Sequence, residues 1–441
     1  MRMSSSPLFP DQGIIKSAHY QLNVKDINMP TQSTLAFDTL AKRPQVPWFR
    51  PLTHEVPLFL TSAFPSESLD EEDGEFPWKY ARIAQPNGVI LEHTLIPLEG
   101  GEAAAVVADG MRAISVTLMS MLEWWGKKGT VVSTTPLYSH TYLVLTQSIA
   151  PLGKECIFLD MESGKSATDS FQDAIRGAQA MGSPVEILFI ETPANPTLAI
   201  WDIAGMAEIA HANNIRVIVD STFASPYNLR PLELGADLVI HSLTKYCCGH
   251  GTTLGGIVIG SRVLIGMIKE RAVREGGHMH PMAAWLVQEG LKTLPERMEK
   301  HNKRGLEVAR FLASKRNKGK IAKVYYPGLP SHQGHEIAKA QMRTPDGKPG
   351  FGGMVSFELA RPEFVKPFAD CLASQTIIEL VVSLGSTTSM FTVPARKIHG
   401  GLSARERQAL GISDTLVRFS VGTEKFQDIK NALTLALDQL T

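Results

Sequence analysis

The chain has 441 residues, with 44 Lys plus Arg set against 44 Asp plus Glu, so its formal net charge is zero. That balance excludes a general nucleic-acid binder, which carries a basic excess, and 44% apolar residues exclude low-complexity disorder. No apolar run approaches the roughly 18 residues of a membrane span, and Cys156, Cys247, Cys248 and Cys371 form no C-x-x-C pair, so no membrane partner and no metal site is expected and a cytoplasmic protein is.

Residues 1–84 read as an arm. They hold Pro44, Pro47, Pro51, Pro57 and Pro65, an acidic patch at Asp70, Glu71, Glu72 and Asp73, and few periodic segments. Trp48, Phe49, Phe59, Leu60 and Phe64 are too apolar for a free tail, so the arm is expected to pack on another surface. Residues 85–296 read as an α/β domain. Val- and Ile-rich runs predict buried strands at Thr130–Ser133, Val185–Glu191, Arg216–Asp220, Leu238–Ser242 and Gly256–Ile259, and Ala103–Trp125 and Ile203–Asn214 predict helices. Continuous apolar strands alternating with helices indicate a mostly parallel central sheet. Residues 297–441 read as a smaller α+β domain. A charged helix at Glu296–Ser314 and a Lys/Arg-rich turn come first. Strands at Met354–Leu359 and Leu416–Val421 follow, and a last helix carries Phe426, Ile429, Leu433, Leu437 and Leu440 on one face.

Three strand ends carry the chemistry. VEILFIE ends in Glu191 and leads into Thr192-Pro193-Ala194-Asn195; RVIVD ends in Asp220, followed by Ser221-Thr222; LVIHS ends in Ser242, followed by Leu243-Thr244-Lys245. Singly, each has an ordinary reading, since an aspartate after a strand is usually a turn residue and a lone lysine is usually solvated. Together they gather a carboxylate, an amide, hydroxyls and one lysine where ligands of parallel sheets bind. The set suits pyridoxal phosphate, which is held by a lysine and needs a carboxylate against its pyridine nitrogen. Its phosphate needs donors, which the N–H groups of Gly110 and Met111 can supply in GGEAAAVVADGMRAI.

The stretch HSLTKYCCGH at 241–250 resembles the lysine motif of the Cys/Met-metabolism PLP enzymes. That family includes cystathionine γ-synthase, cystathionine γ- and β-lyases, methionine γ-lyase and O-acylhomoserine sulfhydrylases. The resemblance continues in order through LEGGEAA, ETPANPTL, VDSTFASP, LKTLPERM, GFGGMVSFEL, VSLGS and LVRFSVG, over roughly residues 53–441. It implies a fold-type I PLP-dependent enzyme and γ-elimination or γ-replacement on an L-amino acid, with a β-lyase acting at Cβ as the alternative. Lys245 would carry the cofactor and shuttle protons, Asp220 would meet the ring nitrogen, Asn195 the ring hydroxyl, and Tyr138 the ring face while assisting proton transfer. Gly110, Met111, Ser242 and Thr244 would hold the phosphate. Tyr80 and Arg82 would reach the phosphate of a neighbouring subunit, which implies a homotetramer built from dimers with shared sites. Arg418, with the backbone at Ser383 and Leu384, would bind the substrate α-carboxylate.

Departures from the family pattern bear on substrate choice. Asp109 stands where the family has serine before Gly-Met, and its carboxylate is expected to point away from a phosphate. Gly251 and Thr252 follow His250 where the family has Ser or Thr and then Asp. Gln85-Pro86-Asn87 replaces an Asn-Pro-Thr. Thr388 replaces a common Glu or Lys, and Ser139, His140 and Thr141 leave no cysteine after Tyr138. His140 and Thr388 are therefore candidate readers of the γ-substituent.

Overall fold

The computed structural model describes residues 35–43, 54–65, 78–122, 128–160, 166–401 and 403–440. Trp48, Phe49, the acidic patch at 70–73 and Trp125 lie outside them. The larger unit is built on a seven-stranded sheet: β1 (Ala103–Val107), β2 (Thr130–Thr135), β3 (Glu155–Asp160), β4 (Val185–Glu191), β5 (Arg216–Asp220), β6 (Leu238–Ser242) and β7 (Gly256–Gly260). Their order is β1-β7-β6-β5-β4-β2-β3, and only β7 runs against its neighbours. Both faces are covered. Ile218, Leu238, Ile240 and Val258 pack against Ile114 and Leu118 of the helix Gly110–Met121. Val217, Val219 and Val239 pack with Phe171, Met206 and Ala210 of the helices Ala167–Ala180 and Ile203–Ala212. Burial on both faces is why these strands read as unbroken apolar runs.

The expected helix at 103–125 is corrected by the structure. Its first five residues, AAAVV, are β1, paired antiparallel with β7, and the helix begins only at Gly110. Alanine favours helix locally, but a distant partner strand overrides that preference. The strand ECIFLD (β3) was not anticipated, because its outer-edge position leaves it only partly apolar.

The smaller unit holds a five-stranded sheet: β8 (Ile321–Tyr325), β9 (Met354–Leu359), β10 (Ile378–Leu380), β11 (Ser389–Thr392) and β12 (Leu416–Ser420), in the order β10-β11-β12-β9-β8. Only β9 and β12 were legible beforehand. Phe357, Phe368, Phe391 and Phe419 form its core with the final helix Phe426–Asp438. The boundary expected at 296/297 falls inside one continuous helix, Leu294–Leu312.

The described part of the arm packs on its own chain. Phe37 meets Tyr227 edge-on at 5.5 Å between ring centroids. The Phe59 N–H donates to Asn87 Oδ1 at 2.9 Å, Asn87 Nδ2 donates to the Pro57 carbonyl at 2.8 Å, and Trp285 Nε1 donates to the Val56 carbonyl at 3.0 Å.

Candidate active site

Parallel pairing sets the strand ends side by side: Glu191 of β4 lies opposite Asp220 of β5, and Asp220 opposite Ile240 of β6. Lys245 follows β6 by three residues, and its Nζ donates to Ser383 Oγ at 3.2 Å. Burial, then the Arg418 guanidinium, lowers this lysine to about 8. Such an amine gives up a proton readily near neutral pH.

Arg418 enters from β12 and is only 2% exposed. Its Nη1 donates to Asn195 Oδ1, and its Nη2 to the carbonyls of Val382 and Ser383, all at 3.1 Å. No carboxylate among the described residues forms an ion pair with it. Burial pushes it down to about 10. A buried guanidinium that meets only neutral oxygens has the chemistry to bind a carboxylate.

The carboxylates are strained in the opposite sense. Glu191 accepts the N–H groups of Tyr138 and Asn195, each at 2.8 Å. Burial and the neighbouring Asp220 nonetheless push it up to about 8. Asp220 is raised by burial, against the Thr222 N–H that donates to its Oδ1 at 3.0 Å. His241 Nε2 meets Glu99 Oε2 at 3.0 Å in a buried pair, and the nearby His241 opposes part of the rise at Asp220. His241 is thus a buried core residue of β6, paired with Glu99.

The phosphate side is a close approach of backbone to side chain. A Cβ on Gly110 would stand 2.7 Å from Ser242 Cβ, so only glycine lets this helix start abut β6. Asp109 caps that helix: its Oδ1 accepts the Arg112 N–H at 2.8 Å. Its carboxylate is therefore engaged with the helix backbone. The Gly110 and Met111 amides have no hydrogen-bond partner among the described residues, which leaves two donors at a positive helix end. Thr244 Oγ1 exchanges hydrogen bonds with Gly255 at 3.3 and 3.1 Å, so its hydroxyl is already engaged.

Tyr138 is half-buried, its ring 5.3 Å from that of His140 between centroids. Burial raises its phenol, which also feels Arg418, Glu191 and Asp109. Leu384 is buried in the apolar cluster that holds Tyr246. Tyr80 and Arg82 are not brought to this site within one chain. Arg82 Nη1 donates to the Val273 carbonyl at 2.5 Å, and its guanidinium lies 5.5 Å from the Tyr80 ring centroid.

Sequence reasoning gave Ser383 a backbone role only, and gave no role to Thr222 or Arg297. Ser383 meets Lys245 through its side chain as well as Arg418 through its carbonyl. Thr222 ties β5 to β6, accepting the Ser242 N–H on Oγ1 at 2.9 Å. Arg297 binds the carbonyls of Tyr246 and Cys247, just past Lys245. An arginine on the inner face of an amphipathic helix was the available signal for the last. The donor set fits pyridoxal phosphate: idle amides for a phosphate, a buried acid for a protonated ring nitrogen, and a desolvated lysine.

Comparison with known proteins agrees with this geometry. Residues 49–438 match the family model described as Cys/Met metabolism PLP-dependent enzyme. An L-methionine gamma-lyase of Fusobacterium nucleatum subsp. polymorphum is 37% identical over 397 residues, covering 88% of this chain and 94% of the relative. A cystathionine beta-lyase of Lactococcus lactis subsp. cremoris is 33% identical over 388 residues, covering 87% and 94%. The crystal structure of cystathionine gamma synthase from Xanthomonas oryzae pv. oryzae in complex with cystathionine superposes with a TM-score of 0.83 at 30% identity, covering 92% of this chain and 99% of that one.

Proposed function

The chain belongs to the Cys/Met metabolism PLP-dependent enzyme family, and from that premise we propose that it acts on an L-amino acid with a leaving group at Cγ, by γ-elimination or γ-replacement. The observation that carries this reading is Arg418, a buried guanidinium without an anion, within electrostatic reach of a lysine lowered to about 8. A substrate α-carboxylate on Arg418 would set its Cα near Lys245.

Pyridoxal phosphate, when bound, supplies an electron sink for the pair left at Cα. Lys245 would hold it covalently, with Asp220 at the ring nitrogen, Asn195 at the ring hydroxyl and Tyr138 on the ring face. Gly110, Met111 and Ser242 would hold its phosphate, joined by Thr244 once its hydroxyl gives up the Gly255 carbonyl, with Tyr80 and Arg82 of a neighbouring subunit completing the cradle. Once the substrate amine has released Lys245, the lysine takes the Cα proton and returns protons along the carbon chain and to the leaving group, assisted by Tyr138. The γ-group then departs. The remainder is hydrolysed by water and leaves as a 2-oxo acid and ammonia, or accepts a nucleophile at Cγ. Ser383 and Leu384 would line the carboxylate site, and His140 and Thr388 would read the γ-substituent. The working assembly is a homotetramer of dimers, and four free thiols suit a cytoplasmic setting. The Lactococcus relative supports a second reading, β-elimination, which shares the Cα step.

The test is a substrate panel with the cofactor-loaded enzyme. O-acetylhomoserine, methionine, cystathionine and canavanine are assayed for 2-oxobutanoate, pyruvate, homoserine and ammonia. 2-Oxobutanoate supports release at Cγ, and pyruvate alone from cystathionine moves the reading to Cβ. No turnover of any of the four overturns both.

A further inference from the structure

Apart from the catalytic crevice, a cavity of about 570 Å3 lies where the smaller unit meets the loop that carries Asn195. Thr197 and Ala199 of that loop form one wall, and the segment 312–325 forms the opposite one. In a chain of zero net charge, this cavity has one sign. Lys315, Lys318 and Lys323 line it, and no aspartate or glutamate does so among the described residues.

The Lys/Arg-rich turn sorts its cations by direction. Arg316 and Lys320 both pair with Asp438, at 3.3 and 3.0 Å, and neither lines the cavity. The three lysines that do line it have no carboxylate partner among the described residues. The turn is also fixed from beneath, because buried Asn317 donates through Nδ2 to the Phe311 carbonyl at 2.8 Å and through its N–H to the Ser314 carbonyl at 3.0 Å. His332 is kept neutral, pushed to about 4 by burial and, further, by Lys323. Its Nδ1 accepts the Gly334 N–H at 3.1 Å, so Nε2 carries the proton.

We propose that this cavity is a second binding site, for a small metabolite bearing phosphate groups. A lysine ammonium is a point charge that suits phosphate oxygens, whereas planar carboxylates favour the fork of arginine. Two such charges on a braced turn and a third on β8 call for a ligand of several negative charges, and the volume falls within the roughly 300–1,000 Å3 of small-molecule sites. An occupant would lean on the Asn195 loop and so reach Arg418. The binding itself is independent of the reaction proposed above.

Isothermal titration of the cofactor-loaded enzyme with inorganic pyrophosphate tests this, with the catalytic phosphate cradle already filled. One saturable site per chain is expected. Lys315→Gln/Lys318→Gln/Lys323→Gln should weaken it at least about tenfold, the loss of one or more charge-assisted contacts. Arg316→Gln/Lys320→Gln should leave it unchanged. Lys318→Gln alone, on an exposed turn, should weaken binding in the same direction. The proposal is overturned by the absence of saturable binding, by equal weakening in the triple and the Arg316/Lys320 variants, by an unaffected Lys318→Gln, or by citrate binding as tightly as pyrophosphate.

Discussion

Replacing Arg297 tests how the lysine loop is held in place. The residue is 5% exposed. Its Nε donates to Thr293 Oγ1 at 3.1 Å, its Nη1 to the Tyr246 carbonyl at 2.6 Å, and its Nη2 to the carbonyls of Gly290 at 2.7 Å and Cys247 at 3.3 Å. Gly249 makes the fit possible: its φ is +72°, and a Cβ there would stand 2.0 Å from Nη1. The backbone immediately after Lys245 is thus closed onto a guanidinium with no carboxylate partner among the described residues. Arg297→Met keeps most of the apolar stem but strands the carbonyls of Tyr246 and Cys247, while the Gly290 carbonyl still accepts from Thr293. Each orphaned buried acceptor costs about 1–3 kcal/mol, and removing a buried charge returns part of that, for a net loss of about 2–4 kcal/mol. Thermal melting of the loaded enzyme should fall by several degrees. The kcat should drop more than KM rises, because the loop bearing Lys245 shifts while Arg418 stays. Arg297→Lys keeps the charge but not the fork, and should lie between. Wild-type melting and wild-type kcat in Arg297→Met would refute the reasoning, and a lower melting point with an unchanged kcat would confine Arg297 to folding.

Arg418→Lys should raise KM for amino acids by roughly 10–100-fold, the value of one lost charge-assisted bond, with a smaller change in kcat; steady-state kinetics with an unchanged KM would remove the carboxylate role. Mixing inactive Arg82→Ala and Lys245→Ala chains should restore part of the activity if each site borrows Arg82 from a neighbour, and no recovery after subunit exchange counts against sharing. Lys245 also predicts a pH dependence for the cofactor-free chain. Its folded value, about 8, lies below the ordinary 10.5, so between those limits the unfolded chain holds more protons and stability rises with pH. Unfolding free energies from urea titrations of wild type should therefore gain on those of Lys245→Met from pH 8 to 10.5, by up to about 3 kcal/mol. Parallel curves would place Lys245 in water.

Much of the site was legible because a buried parallel strand announces itself and its carboxyl end is where ligands bind. Glu191, Asp220 and Ser242 each close an unbroken apolar run, and the residues after them meet as the sequence suggests. What escaped was carried by distant partners. β1 is three alanines and two valines, and its strand character comes from β7, about 150 residues later. Strands β8, β10 and β11 are short or half-polar and gain their identity from pairing within the small sheet. Ser383 meets Lys245 across 138 residues, and no local pattern marks that contact. Asp109 went the other way: a carboxylate that looked wrong beside a phosphate proves to be an ordinary helix cap.

The electrostatics of the crevice explain why a neutral chain keeps four costly groups there. Burial raises Glu191 and Asp220 and lowers Lys245 and Arg418, so each resists its own charged form. Acids and bases so close together could have neutralised one another, and the fold prevents it with a neutral spacer. Asn195 accepts from Arg418 through its side chain and donates to Glu191 through its backbone, so the guanidinium and the carboxylate share one residue and do not pair. Under the proposed function, this leaves the guanidinium for a substrate carboxylate and the acid of β5 for a protonated ring nitrogen. Pairing within the chain would stabilise the free protein, but on the proposed function it would cost Arg418 the charge that a substrate carboxylate would meet at β12.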